Sequence, residues 1–546
     1  MKAIVQDRIR AKAISPFVGQ RMTNFLGRPK AEDLLVLKDL VETGRVTPVI
    51  GARYPLSDVP NAIPRAGGGT RTGQGRHHCV RCRPQSAHMM PHVAEVTPSS
   101  ILMPDRPLSS VNEYMDRGGG RALPLARERG PDWVAEEVRA SGLRGRGGAG
   151  FPTGLKWRTV REDPCPTKYV VCNAAEGEPG AFKDRWLLRH DPYTVLEGLA
   201  IAALAVGAEG AWICIKAGAA KEVERVRLAM EEMVAANLVG DVPIELVTGP
   251  DEYLFGEEKA LLEVIEGNPP LPRTVPPWME GLFRRQDSPN PTVVNNAETL
   301  ANVPHILREG AEWFRSIGTE DSPGTMLLTL CGDVRYPGVY ELPMGFSLRQ
   351  LIYGIGGGAP EGRAVKAVFP GASSTIVSPE QFDTPMSFDA MRAVGSALGS
   401  GAFVVYDDSA CIVRATLAFS RFLYVESCAQ CPACKHGTRH ITELLGRIDR
   451  GEGSEVDVDT ILARSLTVTD AQRCALPTGE TLIAQSAIQV FGAEFVEHYG
   501  RPCPRPREIP VPKIVDVDEH GAFVYDDLYH LKQPDWTYAN EQDQTS

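Results

Sequence analysis

The sequence predicts an α/β fold, followed along the chain by a small β-rich region and then by a helical region. Three observations lead to this prediction. Apolar strand-like runs alternate with helical runs from 98 to about 320, short strands surround a turn within 326–340, and helical periodicity dominates from 411 to about 500. Because 546 residues exceed what one hydrophobic core usually serves, we expect several domains.

In the α/β region, strand-like runs at 169–172, 211–215 and 244–247 alternate with helical runs such as 219–235. The most apolar stretch of the chain is 195–215. It contains Glu197 and Glu209 and changes character near Gly207. This pattern predicts a buried helix followed by a strand and not a membrane span.

The β-rich region begins with two predicted strands around the turn at 335–338. A helix is expected from Leu348, with further strands near Val365 and Phe403. One helix among several strands suggests a small domain of the β-grasp type.

The helical region that follows has its clearest helical periodicity at 441–448 and 481–499. The remainder, 501–546, is polar and rich in proline, so we expect an extended tail lying on a surface.

The charge balance argues against nucleic acid as a partner. The 58 Lys and Arg residues are outnumbered by 69 Asp and Glu residues, which gives a net charge of −11 and no overall basic field.

The first residues lack the uninterrupted apolar core of a secretory signal. The sequence therefore predicts a cytoplasmic protein that does not insert directly into a membrane.

Residues 1–97 differ in composition from the rest and end in a Gly/Arg/His-rich run at 66–78. Within this segment, Cys79 and Cys82 follow His77 and His78, and all four are good metal ligands at short spacing. Because no second cysteine pair lies nearby, a flexible linker is the better interpretation.

Four cysteines are spaced in a way that points to an iron-sulfur cluster. Cys428, Cys431 and Cys434 are each three residues apart, and Cys474 follows forty residues later. Three close cysteines with a remote fourth are typical of [4Fe-4S] ligation, whereas zinc sites usually use two separated pairs. A four-cysteine zinc site and buried unliganded cysteines are the weaker alternatives.

The glycine-rich segment 141–157 contains Gly145, Gly147 and Gly150 in a G-x-G-x-x-G pattern. Glycines let the backbone approach a phosphate, and a helix starting at Pro152 would offer free N–H groups. Arg146 and Lys156 would add the positive charge that a phosphate site requires. A structural glycine-rich turn explains the same letters about as well, and no clear strand precedes the segment.

Three short polar sets follow apolar or turn elements, where loops at the carboxyl ends of strands build sites. They are Asn173 to Gly180, Tyr253 to Glu258 and Val294 to Thr299. Carboxylates bind ribose hydroxyls, and Asn side chains both donate and accept along the edge of a flavin ring. Helix caps and solvated acidic turns explain each set equally well.

Taken in order, these motifs resemble the flavoprotein subunit of NADH:quinone oxidoreductase of respiratory complex I. The same module occurs in diaphorase subunits of NAD-dependent formate dehydrogenases and hydrogenases. The resemblance runs from about 98 to 500 and implies FMN, a [4Fe-4S] cluster and NAD(H) as cofactors. It implies cofactor contacts from Gly145, Arg146, Gly147, Gly148, Ala149, Phe151, Lys156, Asn173, Glu176, Glu178, Tyr253, Gly256, Glu257, Glu258, Trp278, Asn295, Asn296 and Thr299.

Within this set the resemblance implies NADH stacked on the flavin, with contacts from Phe151, Glu178 and Glu258. Glu258 would accept hydrogen bonds from the adenosine ribose and repel a 2′-phosphate. The domains expected are an FMN/NADH-binding Rossmann-like α/β domain (98–324), an SLBB β-grasp domain (325–410), a helical-bundle [4Fe-4S] domain (411–500) on Cys428, Cys431, Cys434 and Cys474, and the tail (501–546).

Several positions depart from the family pattern. Ala175 stands where Asp is usual, Val275 where Lys precedes the two prolines, and Lys259 where Thr follows the two glutamates. Thr159 replaces an aromatic residue expected shortly after Trp157. These changes bear on NADH affinity more than on the fold.

Residues 13–63 resemble the tail end of a medium-chain zinc-type alcohol dehydrogenase, without its dinucleotide loop or its catalytic zinc ligands. We expect an appended remnant without its own activity. The cysteine quartet of a thioredoxin-like [2Fe-2S] module is absent from the sequence. The resemblance therefore implies a separate [2Fe-2S] small subunit and a larger iron-sulfur subunit as partners.

The function expected is hydride transfer from NADH to FMN, followed by single electrons passing to the cluster and on to a quinone reductase, formate dehydrogenase or hydrogenase complex. The alternative, motivated by Ala175, Val275 and Lys259, is an electron-transfer or scaffold subunit that no longer binds NADH. Within a complex, the subunit would lie at the cytoplasmic face of the membrane.

Overall fold

The computed structural model describes residues 101–505 and 507–539. The expectations for the N-terminal segment, including its dehydrogenase-like part and the Cys79 and Cys82 pair, lie outside the described residues. None of the described helices is both long and apolar enough to cross a membrane.

The first domain is an α/β layer built on four parallel strands in the order β3-β2-β1-β4. Helices and strands alternate along it, as the sequence predicts. Its elements are α1 (Val111–Asp116), α2 (Ala122–Arg129), α3 (Pro131–Ser141), α4 (Thr153–Arg161), β1 (Tyr169–Asn173), α5 (Lys183–His190), α6 (Pro192–Val206), β2 (Gly210–Lys216), α7 (Ala220–Ala235), β3 (Ile244–Gly249), α8 (Glu258–Ile265), β4 (Thr292–Asn296), α9 (Ala297–Glu309) and α10 (Ala311–Arg315).

The strand register brings two predicted site residues to the same edge of this sheet. In the pairing of β1 with β4, Asn173 lies opposite Asn296, and both are the last residues of their strands. Because carboxyl ends of parallel strands meet at one edge, the loops that follow open onto a common space.

The helix and strand predicted within 195–215 are confirmed as α6 and β2. Helix α6 is buried almost all round, and it ends where Gly207 adopts a left-handed conformation (φ 75°). The carboxylate of Glu197 is buried there because it accepts hydrogen bonds from the backbone N–H groups of Gly120, Ala122 and Leu123. A charged residue in this apolar helix therefore serves the fold.

The second domain is a mixed four-stranded sheet in the order β6-β5-β8-β7. Strands β5 and β6 form the predicted antiparallel hairpin, and β8 pairs with β5 in parallel. The helix expected from Leu348 is a short π-helical turn, Gln350–Ile355. The regular elements of this domain are β5 (Thr325–Gly332), β6 (Gly338–Pro343), β7 (Val365–Phe369), α11 (Phe388–Ala393) and β8 (Ala402–Asp407).

The third domain consists of four helices that share one apolar core with the tail and one face of the second domain. The helices predicted at 441–448 and 481–499 are parts of longer helices. The four are α12 (Ile412–Glu426), α13 (Pro432–Asp449), α14 (Glu455–Ser465) and α15 (Leu476–Val496).

The tail after α15 is more ordered than the extended segment that its composition predicts. It forms an antiparallel hairpin of β9 (Ile514–Val517) and β10 (Phe523–Tyr525), and it buries Tyr529 and Leu531. The Arg185 guanidinium of the first domain donates to the Ile514 carbonyl at 2.7 Å. The tail therefore packs on the first and third domains, because apolar side chains among its polar residues find partners there.

Candidate functional site

A cavity of about 460 Å³ opens at the carboxyl edge of the parallel sheet, a size typical of cofactor sites. All three domains contribute to its wall. The lining includes Gly147, Gly148, Ala149, Asn173, Ala175, Glu176, Gly177, Glu178, Asp184, Tyr253, Leu254, Gly256, Glu257, Glu258, Asn296, Ala372, Ser373, Ser374, Gly399, Ser400, Cys474, Leu476 and Gly479.

The glycine-rich loop forms one side of the cavity and lies close to the end of β4. A Cβ atom on Gly147 would stand 3.0 Å from the Cβ of Asn296, and Gly148 has a φ of 130° that L side chains rarely adopt. Helix α4 begins at Thr153, with Pro152 as its N-cap. The loop therefore presents bare backbone to the cavity, as a phosphate or flavin site requires.

Arg146 does not supply the positive charge that the glycine-rich motif predicts for this loop. Its guanidinium is buried and donates to the carbonyl oxygens of Thr325 (3.0 Å), Arg144 (3.0 Å) and Pro323 (2.9 Å). Its backbone N–H donates to Thr299 Oγ1 at 2.9 Å. Arg146 and Thr299 therefore shape the loop from behind and do not line the cavity.

Lys156 lies on helix α4 beside the cavity and pairs with a residue of its wall. Its ammonium group is 2.8 Å from Glu258 Oε2 and donates to the Val294 carbonyl at 2.8 Å. Asn295, the neighbour of Val294, accepts a hydrogen bond from Trp157 Nε1 at 2.7 Å. Of these groups, Glu258 lines the cavity, and Lys156 lies beside it through this ion pair.

Asn173 and Glu176 hold the loop after β1 in shape. The Asn173 amide donates to the Gly256 carbonyl at 2.8 Å, which ties this loop to the turn before α8. The Glu176 carboxylate accepts from the backbone N–H groups of Asp184 and Arg185 at the start of α5, each at 3.2 Å. Burial, followed by repulsion from Asp184, raises the pKa of Glu176.

Glu178 connects the first domain to the second across the cavity. Its carboxylate accepts from the Tyr253 hydroxyl at 2.6 Å, from the Ala372 backbone N–H at 2.6 Å and from the Ser373 hydroxyl at 3.2 Å. Burial raises the pKa of Glu178, and these three hydrogen bonds oppose that effect. The carboxylate is thus held in one orientation at the cavity wall.

Glu257 caps helix α8 and lies beside Lys259, which stands where the family pattern has Thr. Its carboxylate accepts from the Lys259 and Ala260 N–H groups at 3.0 Å each, and burial raises the pKa of Glu257 to about 6. The Lys259 ammonium lies 3.5 Å from Glu257 and donates to the Arg473 carbonyl. The unusual lysine therefore bridges the first domain to the residue before Cys474.

Besides Arg146, Lys156 and Thr299, four predicted residues lie outside the cavity lining. Phe151 and Trp278 are exposed by 48% and 38%, the Gly145 N–H donates to the Phe151 carbonyl, and the Asn295 side chain accepts from Trp157.

Two residues that were not predicted from the sequence, Ser374 and Ser400, line the cavity from the second domain. Their hydroxyl oxygens are buried without a hydrogen-bond partner among the described residues. No motif marks these serines.

The four predicted cysteines surround one small hollow beside the cavity. Cys428 and Cys431 lie in the turn between α12 and α13, where Ala429 has a φ of 62°, and Cys434 lies in the first turn of α13. Cys474 lies just before α15. The tight turn and the remote fourth cysteine thus converge, as the spacing predicts.

The residues of both sites fit the groups that the sequence implies. Four cysteine side chains, Cys428, Cys431, Cys434 and Cys474, line one hollow, and four thiolates are the ligand set of a [4Fe-4S] cluster. The cavity offers bare glycine backbone, two Asn side chains and the two unpartnered serine hydroxyls. These donors suit the ring edge and phosphate of a flavin nucleotide.

Three protein families match successive parts of the chain. They are the Nuo51 FMN-binding domain over 138–305, the SLBB domain over 327–374 and the NADH-ubiquinone oxidoreductase-F iron-sulfur binding region over 414–498. The three matches follow the order of the three folded regions.

Curated relatives and solved structures agree with these matches. The chain is 42% identical to the second F subunit of the NADH-quinone oxidoreductases of Rhizobium meliloti, over 74% of this chain and 98% of that one. It is 37% identical to the HndC subunit of the NADP-reducing hydrogenase of Solidesulfovibrio fructosivorans, over 72% and 82%. It superposes on a chain of an NAD⁺-reducing [NiFe]-hydrogenase with a TM-score of 0.65 and 33% identity, over 72% and 67%.

The expected fold, family and cofactors are thereby confirmed. This chain belongs to the family of NADH-quinone oxidoreductase F subunits and is an oxidoreductase component that binds FMN and a [4Fe-4S] cluster and transfers electrons from NADH.

Proposed function

We propose that this chain oxidises NADH in the cavity at the carboxyl edge of the sheet and delivers the electrons through Cys428, Cys431, Cys434 and Cys474 to a separate iron-sulfur subunit. The observation that carries the proposal is that the cavity and the cysteine hollow share part of their walls. Leu254, Cys474 and Leu476 line both the cavity and the cysteine hollow, so few atoms separate the two sites.

FMN would occupy the cavity. When bound, it would supply hydride and single-electron chemistry, which no side chain supplies. The backbone of Gly147 and Gly148, the amides of Asn173 and Asn296, and the ammonium of Lys156 are the groups assigned to hold it. Gly145, Arg146, Thr299 and Asn295 support that surface from behind.

The remaining predicted residues around the proposed flavin position stabilise the loops that form the cavity. A Cβ on Gly256 would stand 2.8 Å from the Ala175 carbonyl, so this glycine keeps the turn against the loop after β1. Glu176 and Glu257 fix the starts of α5 and α8, and Ala149 completes the loop. The serines Ser374 and Ser400 are added to the flavin or dinucleotide contacts, because their hydroxyls lack other partners among the described residues.

NADH would bind beside Glu178, whose carboxylate would accept a hydrogen bond from the nicotinamide nucleotide. Glu258 would leave its pair with Lys156 and accept from the adenosine ribose. Phe151 and Trp278 are exposed aromatic side chains that would cover the adenosine. Tyr253 positions Glu178 through its hydroxyl.

The acceptor that we propose is an iron-sulfur subunit and not a quinone bound by this chain. Cys428, Cys431 and Cys474 are only half-buried, so a partner surface can approach the cluster. The relatives are named as subunits of NADH-quinone oxidoreductases and hydrogenases. We assign a thioredoxin-like [2Fe-2S] small subunit and a larger iron-sulfur subunit as the partners, in the cytoplasm or at the cytoplasmic face of a membrane.

Domain limits of 98–324, 325–410, 411–500 and 501–546 accompany this assignment, preceded by the appended segment 1–97. The helical domain and the tail share one apolar core, which supports treating them as a unit in expression experiments.

The decisive experiment is an anaerobic titration of the FMN- and cluster-loaded protein with NADH. We expect bleaching of the flavin absorbance and reduction of the cluster signal. The Cys431→Ser variant should still bleach the flavin but lose the cluster signal, while Cys165→Ser, a buried cysteine outside both sites, should behave as wild type. Absence of bleaching in the loaded wild type would contradict the proposal and identify a subunit that no longer binds NADH.

A further inference from the structure

A second group of potential metal ligands lies in the helical domain, away from the four cluster cysteines. Cys411 stands at the N-cap of α12, His498 follows the end of α15, and Cys503 lies at the start of the tail. Their ligand atoms all lie within 4.8 Å of one another. Two segments that are remote in sequence, the start of α12 and the stretch 498–503, therefore bring two sulfurs and one imidazole nitrogen close together.

The imidazole of His498 is oriented as a metal ligand would be. Its Nδ1 lies 2.7 Å from the Glu494 carbonyl, which accepts only if Nδ1 carries the proton. The neutral ring then has its lone pair on Nε2, and Nε2 lies 3.4 Å from Cys411 Sγ. A carbonyl that fixes the tautomer in this way is common behind metal-bound histidines.

The spacing also suits a single ion. Two ligands at about 2.0 to 2.3 Å from a tetrahedral zinc ion stand about 3.5 Å apart, close to the separation of Cys411 Sγ and His498 Nε2. Cys411 and His498 are buried and Cys503 is half-buried, so the group is accessible to solvent on the side of Cys503.

Two guanidinium groups lie close to this group in the chain. Arg414 follows Cys411 by three residues and donates to the carbonyl of Arg505, which follows Cys503 by two residues, at 3.1 Å. Glu494 also lies close, but its carboxylate is engaged by the Ile412 N–H at 3.0 Å and by Lys366 at 2.9 Å. The carboxylate is therefore not free to act as the fourth ligand, which leaves that position to water.

We propose that Cys411, His498 and Cys503 bind one Zn²⁺ ion, separate from the [4Fe-4S] cluster, that fastens the start of α12 to the end of α15 and to the tail. Two thiolates and one imidazole form a donor set that zinc prefers. The ion would stabilise the fold, because α12 leads to the turn that holds the cluster cysteines and the tail continues to its contacts with the first domain. This inference does not depend on NADH oxidation.

The test is metal analysis of the full chain purified without oxygen from zinc-containing medium. We expect about one zinc ion per chain in addition to the cluster iron, and loss of that zinc but not of the iron in Cys503→Ser and His498→Gln. The matched control Cys165→Ser should keep both metals, and Cys431→Ser should lose iron and keep the zinc.

Differential alkylation of the wild-type protein supplies a reading that does not depend on variants folding. A zinc chelator should make Cys411 and Cys503 reactive while the cluster cysteines stay protected. Iron-loaded protein without zinc, zinc retained in Cys503→Ser, or a disulfide between Cys411 and Cys503 in freshly purified protein would each overturn the proposal.

Discussion

Replacing Tyr253 by Phe tests whether the charge of Glu178 is used. The Tyr253 hydroxyl donates to Glu178 Oε2 at 2.6 Å, and the same carboxylate has two further donors, Ala372 and Ser373. A hydrogen bond to a charged group contributes about 1.5 to 3 kcal/mol, so removing it makes the ionised carboxylate less stable by that amount. The pKa of Glu178, already raised by burial, then rises further.

The consequence is a shift along the pH axis. If ionised Glu178 accepts from the nicotinamide nucleotide, flavin reduction slows as the pH falls through the pKa of Glu178. The Tyr253→Phe variant should therefore show its acidic limb about one to two pH units higher than wild type, with little change at high pH. The measurement is the stopped-flow rate of flavin bleaching by NADH across the pH range.

The matched control is Tyr193→Phe, which removes a phenol that donates to Glu232 at 2.7 Å away from the cavity. Its pH profile should coincide with that of wild type. A uniform loss of rate in Tyr253→Phe without a shift of the limb would refute the reasoning, because it would mean that the tyrosine acts through shape and not through the charge of Glu178.

Two further predictions concern stability. Gly198→Ala should destabilise the protein by about 3 kcal/mol, because the new Cβ would overlap the Leu300 carbonyl on the neighbouring helix. Gly492→Ala has open space around the new Cβ and should stabilise the protein by about 0.5 to 1 kcal/mol. Melting temperatures that fall equally in both variants would contradict this prediction. Lys216 is buried with its pKa lowered to about 7, so protonation favours the unfolded state as the pH falls from about 10 to 7. In urea unfolding, the free energy of unfolding of Lys216→Met should therefore exceed that of wild type by a margin that grows from pH 10 to pH 7 toward about 4 kcal/mol. The lost hydrogen bond to the Asp251 carbonyl lowers that margin by about 1 kcal/mol. An equal margin at both pH values would disprove the prediction.

The parts of the fold that the sequence predicts are those encoded in local patterns. The helix at 192–206 followed by a strand is predictable because a long apolar run is broken at Gly207, whose left-handed backbone ends the helix. The cluster site is predictable because Cys428, Cys431 and Cys434 are close in sequence. Their meeting with Cys474 requires only that two helices of one bundle pack side by side.

The parts that the sequence does not predict depend on contacts between remote segments. Ser374 and Ser400 reach the cavity because the second domain packs over the first, and a serine carries no signal of that placement. Cys411 and Cys503 are ninety-two positions apart, and each by itself resembles a small buried hydrophobic residue. Only the return of the chain after α15 places them together.

Arg146 shows how a correct motif can still mislead about a side chain. A cationic side chain within a glycine-rich loop can bind the ligand or can stabilise the loop conformation, and the sequence is the same in both cases. Here the guanidinium satisfies carbonyls of Pro323 and Thr325, at the junction where strand β5 of the second domain begins. The shape of the glycine loop is therefore set by that junction. It follows that substitutions at the start of the second domain should alter flavin affinity, although no flavin-binding motif lies there.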